Sequence, residues 1–243
     1  MSLERVLFLD IDGVLNHAAT VRNESRPGLA GWLDPTHLAP LNRALVATNA
    51  RIVVSSSWRV GRTVEDLRTL LRDFGVVAPI VDATPIAPTR RRDEEILAWL
   101  ARHPEVVAHA VVDDELRVPE SSPLAPHLVG TSMDDGLTEA HVAPLVERLS
   151  LPYRAPWRAL TPDEAATLPP PALPARHTLR GRTMRAVARR ADGEAILVEL
   201  DDGGPAGALA VVQQGAEAPT RVYATRWRFE EERMLPDADG GAG

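Results

Sequence analysis

The stretch LFLDIDGVLN, residues 7–16, carries an apolar run straight into two carboxylates and a glycine. Its apolar part predicts a buried strand over Val6–Ile11. Asp10 and Asp12 flank Ile11, and side chains two apart on a strand share a face. Two carboxylates held together resist joint ionisation unless a cation sits between them. Gly13 lets the backbone turn tightly and come close to a ligand.

Three later stretches repeat the pattern: IVVSSSW at 52–58, TRRRDEEI at 89–96 and AVVDDE at 110–115. Two are apolar runs closing in hydroxyls or acids, and the third is a basic cluster just ahead of a helix. Helical patterns separate them: Thr36–Asn49, Thr63–Phe74 with Gly75 as its C-terminal cap, Asp93–His103, and Thr138–Leu149 with Thr138 as N-cap. Strands are expected at Arg51–Val54, Val76–Val81, Val106–Val112 and His127–Gly130. Strand–helix alternation predicts a Rossmann-like α/β fold, a three-layer parallel sheet with helices on both faces, over residues 1–150. Such sheets bind ligands at the carboxyl ends of their strands. The acids, hydroxyls and guanidinium groups therefore converge on one edge.

The rest of the chain reads differently. Residues 151–175 are proline-rich, with Pro169, Pro170 and Pro171 in a row, and are expected to form a semi-rigid linker with one helical turn near Asp163–Leu168. Strand-like runs at Thr183–Arg189, Ala195–Leu200, Ala208–Gln213 and Thr220–Trp227 predict a small mainly-β accessory domain over 176–235, with a turn at Asp201–Gly204. The tail, 236–243, is expected to be disordered.

Composition narrows the chemistry. The 243 residues hold no cysteine and no lysine; all 27 Lys-or-Arg positions are arginine. This excludes disulfides, thiolate metal sites, thiol nucleophiles, Schiff bases and a lysine-bearing phosphate loop. A net charge of −7 argues against indiscriminate affinity for nucleic acid or anionic membrane. The first strand begins where a signal peptide would stay apolar, and no apolar run reaches the roughly 20 residues of a membrane span. A cytoplasmic location is expected. The seven histidines show no ligand spacing and read as structural or surface residues.

Read for function, Asp10 is a candidate nucleophile toward phosphorus and Asp12 a candidate acid and base. An acidic turn closing a strand is the plainer alternative. Ser55 and Ser56 offer hydroxyls and backbone N–H groups to a phosphate oxygen, or simply make a polar turn. Arg91 and Arg92 stand at a helix N-terminus, where cations oppose the helix dipole unless an anion is held there. A solvated charge run is the other reading. Asp113 and Asp114 close the most hydrophobic strand and need a counter-charge, which Mg²⁺ would supply together with Asp10 and Asp12. Alternation allows only one of Asp113 and Asp114 to share a face with a given neighbour. Asn16, Trp58 and Arg59 are candidate substrate contacts. Six arginines between Arg176 and Arg190, with no acid among them, form either a nucleic-acid contact or a solvated strand face.

The order of these motifs is similar to that of the haloacid dehalogenase (HAD) superfamily of aspartate-nucleophile phosphatases. DIDGVLN resembles its first motif, IVVSSS its second, with Ser55 favoured, RDEEI its third, with Arg92 favoured, and VVDDE its fourth. Together with Gly136–Thr138 the set resembles HAD domains of bacterial RNA-repair fusions. The resemblance implies a Mg²⁺-dependent phosphomonoesterase working through an aspartyl-phosphate, on a nucleotide or other phosphorylated small molecule. A nucleic-acid end-processing phosphatase and a non-catalytic interaction protein on the same scaffold are its alternatives. Family members often carry lysine at the third motif; here arginine must serve. Asn16–Pro35 leaves no room for a folded cap, so the site is expected to be open, suited to a macromolecular end or to a substrate covered by another domain.

Overall fold

A computed structural model describes residues 4–168, 173, 177–200, 208–213 and 220–240. The chain divides into two compact units, 1–150 and 151–243.

The first unit is a parallel five-stranded sheet in the order β3-β2-β1-β4-β5. Its strands are β1 (Glu4–Leu9), β2 (Arg51–Val54), β3 (Ile80–Ala83), β4 (Val106–Asp113) and β5 (Leu128–Gly130). The helices between them are α1 (Leu38–Thr48), α2 (Val64–Phe74), α3 (Arg92–Leu100) and α4 (Val142–Leu149). Central strands of a covered parallel sheet bury both faces and so read as unbroken apolar runs. Val6, Phe8, Val53 and Val111 pack on one face with Ile96 and Trp99 of α3. Leu7 and Leu9, which alternation turns the other way, are equally buried. α4 packs on β1, β4 and α1.

Several element boundaries shift by a few residues from expectation. β3 begins at Ile80, because the residues after Gly75 are engaged elsewhere. Val76 N–H donates to Leu71 carbonyl at 2.9 Å in the cap of α2, and Val77 N–H donates to Asn42 Oδ1 at 3.1 Å. α3 begins at Arg92, with Arg91 at its N-cap. Between Asn16 and Asp34 the one helical element is a short 3₁₀ turn, Gly28–Trp32, and the rest is turns and extended chain.

The second unit is an antiparallel sheet in the order β10-β9-β8-β7-β6. Its strands are β6 (Trp157–Ala159), β7 (Met184–Arg190), β8 (Ala195–Leu200), β9 (Leu209–Gln213) and β10 (Arg221–Tyr223). The proline-rich stretch expected as a linker contributes β6 and a helix, α5 (Pro162–Thr167), and buries Leu151 and Trp157 in this unit's core. β10 is shorter than the expected strand. From Arg226 the chain turns helical: α6 (Arg226–Phe229), a π-helical turn (Glu230–Met234) and α7 (Leu235–Ala238). Acid–base pairs four apart, Arg226–Glu230 at 2.6 Å and Arg233–Asp237 at 2.8 Å, favour helix there. The tail expected to be disordered is thus ordered through Ala238. Trp157 Nε1–H donates to Asp237 Oδ2 at 2.7 Å. The expected turn at Asp201–Gly204, Arg176 and residues 241–243 lie outside the described residues. No helix among the described residues is long and apolar enough to cross a membrane.

Candidate active site

Strand register builds the site. Leu9 of β1 pairs with Val54 of β2 on one side and Val112 of β4 on the other. The next residue on each strand is Asp10, Ser55 and Asp113, so these three stand level. Backbone bonds hold them there: Asp10 N–H donates to Val112 carbonyl at 3.1 Å, and Ser55 N–H to Leu9 carbonyl at 2.9 Å. From β1 the chain crosses outward to β2 and β3, then returns to the opposite side for β4 and β5. The β1/β4 boundary is the switch point where open α/β sheets bind ligands.

One carboxylate oxygen each from Asp10, Asp113 and Asp114 lies within 4.8 Å of the others, and all three residues are buried. Asp113 is anchored by Glu115 and Leu116 N–H groups, which donate to its Oδ1 at 2.9 and 2.7 Å. Asp10 Oδ1 accepts from Ile11 N–H at 2.8 Å. Arg92 Nη1 donates to Oδ2 of both Asp10 and Asp113. Burial would loosen its proton, but the two carboxylates more than offset that and keep the guanidinium firmly charged.

Three carboxylates against one guanidinium leave excess negative charge in a dry place. Burial, and then the neighbouring Asp113, push Asp10 up to about 6. Burial and Asp113 also raise Asp114. This donor set fits a hard dication: all oxygen, crowded, and short of positive charge. Gly13 belongs to the same design. Its φ is +65°, and a Cβ there would lie 2.3 Å from the Asp114 carboxyl carbon. Only glycine lets the turn pass beneath Asp114.

The Asp12 side chain stands outside the three-acid group. Its two oxygens are occupied: Asn16 Nδ2 donates to Oδ1 at 3.0 Å, and Trp58 Nε1–H to Oδ2 at 2.9 Å. Asn16 and Trp58, expected as substrate contacts, are therefore the groups that orient Asp12. Of the two serines, Ser56 sets its hydroxyl against the Asp10 carboxylate. Ser55 Oγ is buried with no hydrogen-bond partner. Alternation at a strand end puts only one of the pair on the Asp10 side.

Arg59, the third expected substrate contact, is buried and fully committed. Its guanidinium donates to the carbonyls of Ser55 and Ser56, each at 2.7 Å, and its Nε to Thr84 carbonyl at 3.0 Å; it also pairs with Glu95. Glu95 in turn accepts from Ala87 N–H at 2.8 Å. Arg59 and Glu95 therefore brace the serine turn against the helix that carries Arg92. Sequence reading missed Glu95, although an acid four residues before Trp99 on a helix with a buried stripe was a readable signal. Arg91, expected beside Arg92 as a phosphate ligand, points its charge at Asp93 and Glu94 in the exposed first turn of α3. Histidines were also missed: His17 and His37 meet beside Asp34.

In the second unit, Arg185 pairs with Glu199 across β7 and β8, and Arg190 with Asp192 at 3.2 Å. The basic run is thus partly neutralised by its own neighbours.

No curated protein and no solved structure matches the chain. A family model does: it matches residues 6–142, which span β1 to the start of α4 and include every residue of the three-acid group. The chain belongs to the family described as the HAD domain in Swiss Army Knife RNA repair proteins.

Proposed function

We propose that the protein is a Mg²⁺-dependent phosphomonoesterase that removes terminal phosphate from RNA strands. The observation that carries this reading is the convergence of Asp10, Asp113 and Asp114 with the single guanidinium of Arg92 at the switch point of the sheet. The family's description, which names RNA repair proteins, supports the choice of RNA over a small metabolite. The absence of a folded cap between Asn16 and Pro35 supports a site that admits a strand end.

Asp10, Asp113 and Asp114 would hold the ion. When bound, Mg²⁺ shields the carboxylates and the phosphate from one another. A carboxylate oxygen of Asp10 attacks phosphorus in line with the ester oxygen, the phosphorus–ester bond breaks, and the new bond is an aspartyl-phosphate. Asp12 gives its proton to the departing alkoxide. Water then attacks the phosphorus, Asp12 takes the proton from that water, and the Asp10 carboxylate and inorganic phosphate are released. Arg92 and Ser56 face the Asp10 carboxylate and are placed to meet the phosphoryl oxygens through charge and hydrogen bonding.

The test is phosphate release from 5′- and 3′-phosphorylated oligoribonucleotides, mononucleotides and sugar phosphates, with and without Mg²⁺. The reading predicts Mg²⁺-dependent release from oligoribonucleotides, weakened by salt as strand binding requires. Asp10→Asn should lower it by about 10⁴-fold or more. Release from no substrate would indicate a non-catalytic scaffold. Salt-insensitive turnover of mononucleotides alone would rule out the strand end.

A further inference from the structure

Away from the acidic group, a second set of ligand atoms converges. His17 Nδ1 lies 3.0 Å from His37 Nε2, 3.0 Å from Thr20 Oγ1 and 3.6 Å from Asp34 Oδ2. One ligand atom each from His17, His37 and Asp34 falls within 4.8 Å of the others. We propose that His17, His37 and Asp34 form a site for a first-row transition-metal dication of the zinc type.

The orientation of each donor supports this. A carbonyl oxygen only accepts, so His37 Nδ1, 2.8 Å from Leu137 carbonyl, must carry its proton. That fixes the tautomer and leaves the Nε2 lone pair facing His17. Asp34 is held through its other oxygen: Thr36 N–H and Oγ1–H donate to Oδ1 at 2.9 and 2.8 Å, which leaves Oδ2 toward the histidines. Such outer bonds orient metal-binding imidazoles and carboxylates. Gly136 completes the seat, because at its φ of +63° a Cβ would lie 2.5 Å from the His37 ring.

Spacing agrees. Two ligands at 2.0–2.1 Å from a tetrahedral zinc stand about 3.3 Å apart. The 3.0 and 3.6 Å separations bracket that value. Between neutral rings, the proton that now joins Nδ1 of His17 to Nε2 of His37 occupies the position an ion would take. Moving it to Nε2 of His17 frees both lone pairs with no net proton release. Two imidazoles and one carboxylate select a borderline transition metal over Mg²⁺. His37 is buried, whereas the His17 and Asp34 side chains keep 20% and 19% exposure, which admits an ion. Thr20 or water can fill a fourth position. The His109–His127 pair makes a contrast. Those rings stack face to face at 3.9 Å and join no third ligand among the described residues.

The site lies where binding matters to the loop that follows β1. Asp34 N–H donates to Leu15 carbonyl at 2.8 Å, and Leu137 N–H to Val14 carbonyl at 2.9 Å. An ion held by His17, Asp34 and His37 would clasp the His17 segment to the 34–37 turn, next to the turn that carries Asp12 and Asn16.

Chelator-treated full-length protein, with Mg²⁺ in excess to occupy the acidic group, is titrated with Co²⁺ and followed by visible ligand-field absorption. One equivalent should bind, give a tetrahedral-type band and be displaced by Zn²⁺. His17→Ala should weaken binding at least about 100-fold, more than loss of an outer partner would. Asp113→Asn should leave the band intact. Zn²⁺ should also raise the thermal midpoint of the wild type and not that of His17→Ala. If circular dichroism shows that His17→Ala is unfolded, the near-isosteric Asp34→Asn repeats both measurements. Unchanged Co²⁺ binding in a folded His17 or Asp34 variant would overturn the proposal. So would a band lost in Asp113→Asn but kept in His17→Ala.

Discussion

Asp10 and Asp113 share one nitrogen: Nη1 of Arg92 donates to Oδ2 of each. The two carboxylates stand one residue beyond the paired ends of adjacent strands, so sheet register sets their separation. The guanidinium arrives from the first residue of α3. Where the resemblance leads one to expect lysine, a single guanidinium nitrogen of arginine here meets both acids.

Removing that charge should raise Asp10 above its value of about 6, since Arg92 is the cation that opposes burial and Asp113. Arg92→Met is expected to lower kcat/KM for a phosphorylated oligoribonucleotide by about 10²–10³-fold, the scale of losing an electrostatic stabiliser. It should also move the acidic limb of the rate profile to higher pH, because in the proposed mechanism Asp10 attacks only as the anion. An unmoved limb would show that Arg92 does not govern the ionisation of Asp10.

In the proposed mechanism Trp58 acts through Asp12, to which its Nε1–H donates. Trp58→Phe keeps the ring and removes the N–H that donates to Oδ2. A hydrogen bond to a charged group contributes about 1.5–3 kcal/mol, so kcat should fall about 10–100-fold. KM should change little if the indole only positions Asp12. A large rise in KM with constant kcat would instead place Trp58 on the substrate.

The Arg59–Glu95 pair should dominate the stability of the serine turn. Glu95→Ala leaves a buried, uncompensated guanidinium, and breaking such a pair costs about 3–5 kcal/mol. Urea denaturation measures this directly. Arg59→Met combined with Glu95→Leu should recover much of the loss, because an apolar pair leaves no charge stranded. A cost below about 1 kcal/mol for Glu95→Ala would mean that the pair is solvated.

His109 gives the fold a pH dependence. Burial, and then His127, depress its imidazole from 6.5 to about 4. The unfolded chain therefore binds the proton more readily than the folded one across that interval. The stability tied to neutral His109 is fully present above pH 6.5 and drains away as pH falls through about 4. Urea midpoints taken between pH 7 and 4 should fall more steeply for the wild type than for His109→Phe. Parallel curves would count against the assignment.

Why some of this was readable and some was not follows from the range of each interaction. β1, β2 and β4 were plain because burial on both faces demands unbroken apolar runs, and the candidate site residues sit at their ends. Thus Asp10, the two serines and Asp113 are legible at strand ends, and Arg92 at a helix start. The split of tasks between Ser55 and Ser56, or between Arg91 and Arg92, could not be read from residues alone. It depends on which way a strand end or a helix start is turned. Arg59 was misread because its four partners come from three separate segments. His17 and His37 are 20 residues apart and meet only through the fold, so no spacing rule would pair them. The helix after Arg226 is a different case: its four-residue charge spacing was visible, but the apolar and aromatic residues around Tyr223 and Trp227 favoured a strand.

The central claim is that the Asp10 carboxylate becomes covalently bonded to phosphorus. Acid-quenched turnover of a ³²P-end-labelled oligoribonucleotide with Mg²⁺, followed by peptide mapping, tests it directly. The account predicts label on the peptide containing Asp10, released by hydroxylamine as an acyl phosphate must be, and absent from Asp10→Asn. Phosphate released at the wild-type rate by Asp10→Asn, or label mapped to another residue, would contradict it.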